Sequence, residues 1–262
     1  SWIAAGYNVG IMYWDQFADE SEVRDAEAKI WSATANRDMR WRNSRGQYQS
    51  GPNQNVTELL LADYRTAMAG YRGDDIRLAG HSLGNQVALR LADELLSLNN
   101  RGQVAGNLVP NRVSLLDTFY SNYPKRYLGW RWVGAVARDI VGRLKGAGVA
   151  IDSYRTSLVT SSPFVGDENR GLQNQVAFVE QSTGFFNQFQ QNEKHGAAIW
   201  LYLWSIDYPA PGVTNDGWNG VSAATPHDEV RDWMNRNRRL SQNAGGNTKD
   251  PGDNLYRTRS RL

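Results

Sequence analysis

The amino-acid sequence predicts an α/β fold, one domain with a mostly parallel sheet and helices on both faces. Short apolar runs rich in strand formers alternate with longer segments whose apolar residues recur at spacings of three and four, the βαβα order that winds a parallel sheet. The chain has 262 residues, enough for a single α/β domain with a buried sheet, and its 40% hydrophobic and 21% charged residues are ordinary globular usage.

Residues 7–14 (Tyr-Asn-Val-Gly-Ile-Met-Tyr-Trp) form an apolar run suited to a first strand buried on both faces. Val23, Ala26, Ile30 and Trp31 mark a helix within residues 20–31, before a long loop containing Gly46, Gly51 and Pro52. Leu60, Leu61, Tyr64, Met68 and Tyr71 line one face of a helix over 57–71, and Asn55 and Glu58 stand at capping-box spacing before it. Asn55-Val56-Thr57 also fits a glycosylation acceptor; capping is the preferred reading. Residues 76–79 read as the next strand, and Ala88, Leu91, Ala92, Leu95 and Leu96 as the buried face of the helix after it. Further strands are expected at 112–116, 149–158 and 175–181, and helices over 127–145, 196–206 and 229–240. The domain then covers residues 1–240, and the polar stretch 241–262, with Gly245, Gly246, Pro251 and Gly252, reads as a tail.

Gly80-His81-Ser82-Leu83-Gly84 lies between a predicted strand and a predicted helix. In that setting Gly-x-Ser-x-Gly is a nucleophile elbow. The serine sits in a strained turn at the carboxyl edge of the sheet, small flanking residues admit neighbouring backbone, and the following helix aims unpaired N–H groups at the reaction centre. Ser82 is the candidate nucleophile and the Leu83 N–H the candidate oxyanion donor. A serine hydroxyl is too weak an acid to attack an ester unaided, so a histidine must take its proton and a carboxylate must orient that histidine.

Three histidines are present. His81 is expected to point away from Ser82 and to be structural. His227, between Pro226 and Asp228 near a helix start, reads as a capping or exposed residue. His195, in a polar loop that follows one strand and precedes an apolar helix, is the candidate base. Asp117 ends the strand after the elbow helix and is the candidate acid; Asp152, inside the next strand, is its rival.

The chain order Ser82, Asp117, His195, and the elbow followed by Leu115-Leu116-Asp117, resemble the α/β-hydrolase superfamily. Within it they resemble the pancreatic-lipase-like branch of serine esterases and lipases, whose acid follows the strand directly after the elbow helix. Residues 9–14 also look like that branch's strand before the elbow. The resemblance runs in order over residues 7–206, with the elbow as its specific match. Thr118 stands where the branch commonly has proline, and the absence of cysteine separates the chain from the branch's secreted animal members. The resemblance implies an α/β-hydrolase fold whose amino-terminal strands are missing here, and a serine hydrolase that cleaves carboxylic esters, acyl lipids in particular, through an acyl-enzyme. It also places the second oxyanion donor on a strand before Tyr7. Ser1 opens the chain without a charged and apolar leader, which reads as a processed, trimmed or incomplete start, so a preceding segment or a partner chain is expected to cover the first strand.

Other classes fall away on composition. The formal net charge is +2 with Lys and Arg scattered, which gives no electrostatic footprint for nucleic acid. The longest apolar runs, 133–136 and 197–203, are too short for a transmembrane segment. The lack of cysteine removes disulfides, thiolate metal sites and a cysteine nucleophile, and no other cluster has ligand spacing, so neither cofactor nor metal is expected. The compartment is left open, with an extracellular setting preferred. Tyr127, Trp130, Trp132, Val133, Val136, Ile140 and Val141 suit either a lid over an acyl pocket or a plain crossover helix, the crossover preferred, while Trp200, Tyr202 and Trp204 read as core. Two alternative functions stand beside ester hydrolysis: a binding or structural part of a larger assembly or toxin on a hydrolase scaffold, and acyl transfer to an acceptor other than water.

Overall fold

The computed structural model describes residues 1–159 and 166–262. Along the chain run α1 (Asp15–Ala18), α2 (Val23–Trp31), a small hairpin of β1 (Trp41–Arg42) and β2 (Tyr48–Gln49), α3 (Val56–Ala67), β3 (Arg77–His81) and α4 (Gly84–Asn100). There follow β4 (Arg112–Leu116), α5 (Val133–Gly146), β5 (Ala150–Arg155), α6 (Arg170–Gln173), β6 (Ala177–Glu180), α7 (Gln191–Trp204), β7 (Gly212–Val213), α8 (His227–Asn235), β8 (Arg238–Ala244) and β9 (Leu255–Ser260). The main sheet has the order β3-β4-β5-β6-β8-β9-β7, and its neighbours are parallel except β8 and β9. This is the α/β architecture that the alternating pattern predicts.

Parallel strands covered by crossover helices read as continuous apolar runs because both their faces are buried. β4 is buried at every position and β5 at all but Arg155. α4 packs on β3 and β4, and α5 packs on α4. Val133, Ile140 and Val141 of α5 are buried in the main core, so this segment is a crossover helix, with Trp130 left 71% exposed just before it. α3 starts at a complete capping box: Asn55 accepts from the Glu58 N–H, and the Glu58 carboxylate accepts from the Asn55 N–H. The Asn55 side chain is buried in that role. Of Trp200, Tyr202 and Trp204, Tyr202 is core and Trp204 is exposed.

Three expectations need correction. Residues 7–14 are not a strand: they form no ladder, and Val9, Ile11 and Tyr13 are 61%, 72% and 71% exposed. Met12 and Trp14 pack inward, and the Tyr7 hydroxyl donates to Asp75 just before β3, yet no backbone hydrogen bond joins the segment to β3 among the described residues. β3 is therefore the sheet edge, with Ala79 at its centre exposed. The final helix ends at Asn235 rather than 240. The stretch from Ser241, expected as a tail, instead belongs to β8 and β9, whose antiparallel pairing extends the sheet from β6 to its short edge strand β7. Each of these strands buries one large apolar side chain, Leu240 and Tyr256, and turns mostly polar residues to solvent, which antiparallel strands tolerate.

One buried polar network fastens the sheet. The Arg112 guanidinium on β4 contacts Asp152 on β5 at 3.1 and 2.5 Å and donates to the carbonyls of Thr225 and Ser222. Asp152 also accepts from Ser114 and Tyr154, and Ser114 bonds the Tyr202 hydroxyl of α7. Both charged groups are fully buried. Removing one partner of such a pair strands the other charge. Arg112→Met is expected to lower the unfolding free energy by about 3–5 kcal/mol in urea titration, with part of the loss recovered in Arg112→Met/Asp152→Leu. A loss below about 1 kcal/mol would contradict this role.

Candidate active site

Parallel pairing sets His81 opposite Leu116, so the next residues, Ser82 and Asp117, leave adjacent strands at the same carboxyl edge. The Ser82 N–H continues the ladder to the Leu116 carbonyl at 3.0 Å, and the Asp117 N–H continues it to Tyr154 at 2.8 Å. Both residues adopt the left-handed conformation, Ser82 at φ 52° and Asp117 at φ 41°. For residues with a Cβ this costs about 1–3 kcal/mol each and persists only where the surroundings impose it. At Ser82 the turn has to reverse from β3 into α4 within two residues. A Cβ on Gly80 would lie 2.2 Å from the Gly84 carbonyl oxygen and 2.7 Å from the Asn85 Cα, so only glycine fits there. Gly84 meets open space, so the close approach expected of both glycines belongs to Gly80 alone.

Asp117 is 1% exposed, and its carboxylate is surrounded by donors. Oδ1 accepts the N–H groups of Thr156 and Ser157 at 3.0 and 3.3 Å, from the turn just beyond β5. Oδ2 accepts the Ser157 hydroxyl and Nδ1–H of His195, the latter at 2.6 Å. His195 therefore has Nδ1 committed as a donor and Nε2 as its basic nitrogen. It lies in the second turn of α7 rather than in a loop before it, since Gln191 to Lys194 are polar but helical. The Thr156 hydroxyl donates to the Lys194 carbonyl at 2.7 Å and anchors that turn over the acid. Among the described residues no hydrogen bond joins the Ser82 hydroxyl to His195, and the Leu83 N–H has no protein acceptor.

The rival assignments separate by place and by partner. Asp152 is held by Arg112 inside the sheet, away from its carboxyl edge. His227 bonds Asp75 at 2.8 Å, at the end of β3 opposite Ser82. Burial tends to raise the pKa of Asp75, but hydrogen bonds from Tyr7 and His227 outweigh it and hold the group below its ordinary value. His81 has a part that sequence reasoning missed. Its ring lies 4.3 Å from that of His195, and its Nε2–H donates to the His195 carbonyl at 2.9 Å. Burial, and after it the neighbouring His195, push the His81 pKa below its ordinary value. Thr156 and Ser157 were also missed, because the strand expected over 149–158 ends at Arg155 and leaves this pair in the turn beyond it, beside Asp117.

No metal-holding group of His, Asp and Glu occurs among the described residues, and no helix is long and apolar enough to cross a membrane. Among known proteins no family model, no curated protein and no solved structure matches this chain.

The two glycines of the elbow should respond oppositely to the same change. Gly80→Ala is expected to destabilise by about 3 kcal/mol through the backbone clash, whereas Gly84→Ala, at the first position of α4, should be neutral or stabilising by up to about 1 kcal/mol. Equal effects in chemical denaturation would show that the elbow is not packed this way.

Proposed function

We propose that this chain is a serine hydrolase of the α/β-hydrolase type that cleaves carboxylic esters through a covalent acyl-enzyme, with acyl lipids as the substrate class favoured by its pancreatic-lipase-like resemblance. The observation that carries the reading is the 2.6 Å contact of buried Asp117 with Nδ1 of His195, at the sheet edge from which the strained Ser82 emerges.

In this mechanism Nε2 of His195 takes the Ser82 proton as Oγ attacks the ester carbonyl carbon. Asp117 stabilises the imidazolium that forms and keeps Nδ1 protonated. The Leu83 N–H, at the start of α4, donates to the oxyanion of the tetrahedral intermediate. His195 then protonates the departing alcohol, and a water molecule activated by the same nitrogen releases the acid. The bond from Ser82 to His195 forms as substrate enters; catalytic hydrogen bonds are often long before that point.

A second reading, a binding component on a hydrolase scaffold, is favoured by a separate observation. The open β3 edge and the exposed Val9, Ile11 and Tyr13 beside it suit a covering segment or partner chain. Turnover of short p-nitrophenyl acyl esters distinguishes the two. The hydrolase reading expects measurable kcat in the wild type, a drop of about 10⁴-fold or more in Ser82→Ala, and about 10⁴-fold in Asp117→Asn. A wild type without turnover, or turnover indifferent to Ser82→Ala, would favour the scaffold.

A further inference from the structure

Glu27 lies in the middle of α2, outside every motif, and is 0% exposed. A carboxylate buried away from water is unfavourable unless donors meet it. Three do. Its Oε1 accepts the Ser121 N–H at 2.9 Å and a Gln86 Nε2–H at 2.8 Å, and its Oε2 accepts the Ser121 hydroxyl. Ser121 belongs to the loop directly after Asp117, and Gln86 to the first turn of α4, directly after Ser82.

The links continue to the nucleophile itself. The second Gln86 Nε2–H donates to the Phe119 carbonyl at 2.8 Å, and the Gln86 amide oxygen accepts from Trp31 Nε1 at 2.7 Å. The Phe119 N–H reaches the Ser82 carbonyl at 3.4 Å, and the Asn85 side chain donates to the carbonyls of both Ser82 and Phe119. One carboxylate on α2 therefore ties the segment after the nucleophile to the segment after the acid. Each of these segments leaves its strand through a left-handed residue, so neither conformation is self-maintaining.

We propose that Glu27 is a positioning residue for this site, fixing residues 117–121 against the elbow and so setting the separation of Ser82 from the Asp117–His195 pair. The inference rests on the ester-hydrolase reading. Glu27→Gln preserves the connection: its amide oxygen can accept from Gln86 and Ser121, and its amide group can donate to the Ser121 hydroxyl. Glu27→Ala removes it. With a p-nitrophenyl ester, Glu27→Ala is expected to lose about 10²-fold in kcat with KM little changed, while Glu27→Gln stays close to wild type. Amide exchange at Phe119 and Ser121 should quicken in Glu27→Ala, with the α3 and α5 amides unaffected. Should Glu27→Ala not fold, Ser121→Ala, which removes only the hydroxyl donor, decides: a lowered kcat at unchanged KM supports the role and an unchanged kcat overturns it. A folded Glu27→Ala enzyme with wild-type kcat, or a loss not rescued by Gln, also overturns it. A wild type without turnover instead sinks the hydrolase reading, and the positioning role with it.

Discussion

The parallel register of β3, β4 and β5 puts His81 opposite Leu116 and Leu116 opposite Tyr154, and the chemistry proposed for the site depends on that alignment. Strands in a parallel sheet end together, about 4.8 Å apart, so the residues just beyond them are delivered to one edge. β3 delivers Ser82, β4 delivers Asp117, and β5 delivers the N–H groups of Thr156 and Ser157 that hold Asp117. A slip of one residue between β3 and β4 would break this edge and exchange the two sets of side chains that β4 buries on its opposite faces. α7 then needs only to lay its second turn over the edge for His195 to meet the acid.

Two buried aspartates, Asp117 just beyond β4 and Asp152 within β5, sit in contrasting environments. Asp152 has a guanidinium bound at two points and hydroxyls on the rest, so its charge is neutralised and committed to holding β4, β5 and α7 together. Asp117 has hydrogen-bond donors and an imidazole in place of an arginine. Its negative charge is satisfied but not cancelled, as the proposed stabilisation of a transient imidazolium requires. Glu27 is a third buried carboxylate, satisfied by an amide and by Ser121. It touches no other member of the site and acts through the backbone that it holds.

Features with a local cause are plain in the sequence. The elbow is a short-range steric device, and its five residues announce it. β4 is bounded as its apolar run suggests, and the Asn55–Glu58 cap is legible because both partners lie within one turn. The misreadings arise where neighbours decide. Residues 7–14 have the composition of a buried strand, but among the described residues they pair with no strand, and Val9, Ile11 and Tyr13 stay in solvent. β8 and β9 hide in a polar stretch because each needs a single apolar anchor, Leu240 or Tyr256. His195 reads as a loop residue because polar residues precede it, although the first turn of a helix is commonly polar. Glu27, Gln86 and Ser121 meet across 94 and 59 positions of chain, a separation at which no spacing rule operates.

The proposed hydrolysis requires one chemical property: a Ser82 hydroxyl made nucleophilic by His195 under the hold of Asp117. A fluorophosphonate probe reads that property independently of any choice of ester, because it forms a covalent bond only with an activated serine. Peptide mass spectrometry of the labelled chain should find a single adduct, on Ser82, and should find it lost in His195→Ala. No adduct on the folded wild type, an adduct on another residue, or labelling of Ser82 that persists without His195 would contradict this chemistry.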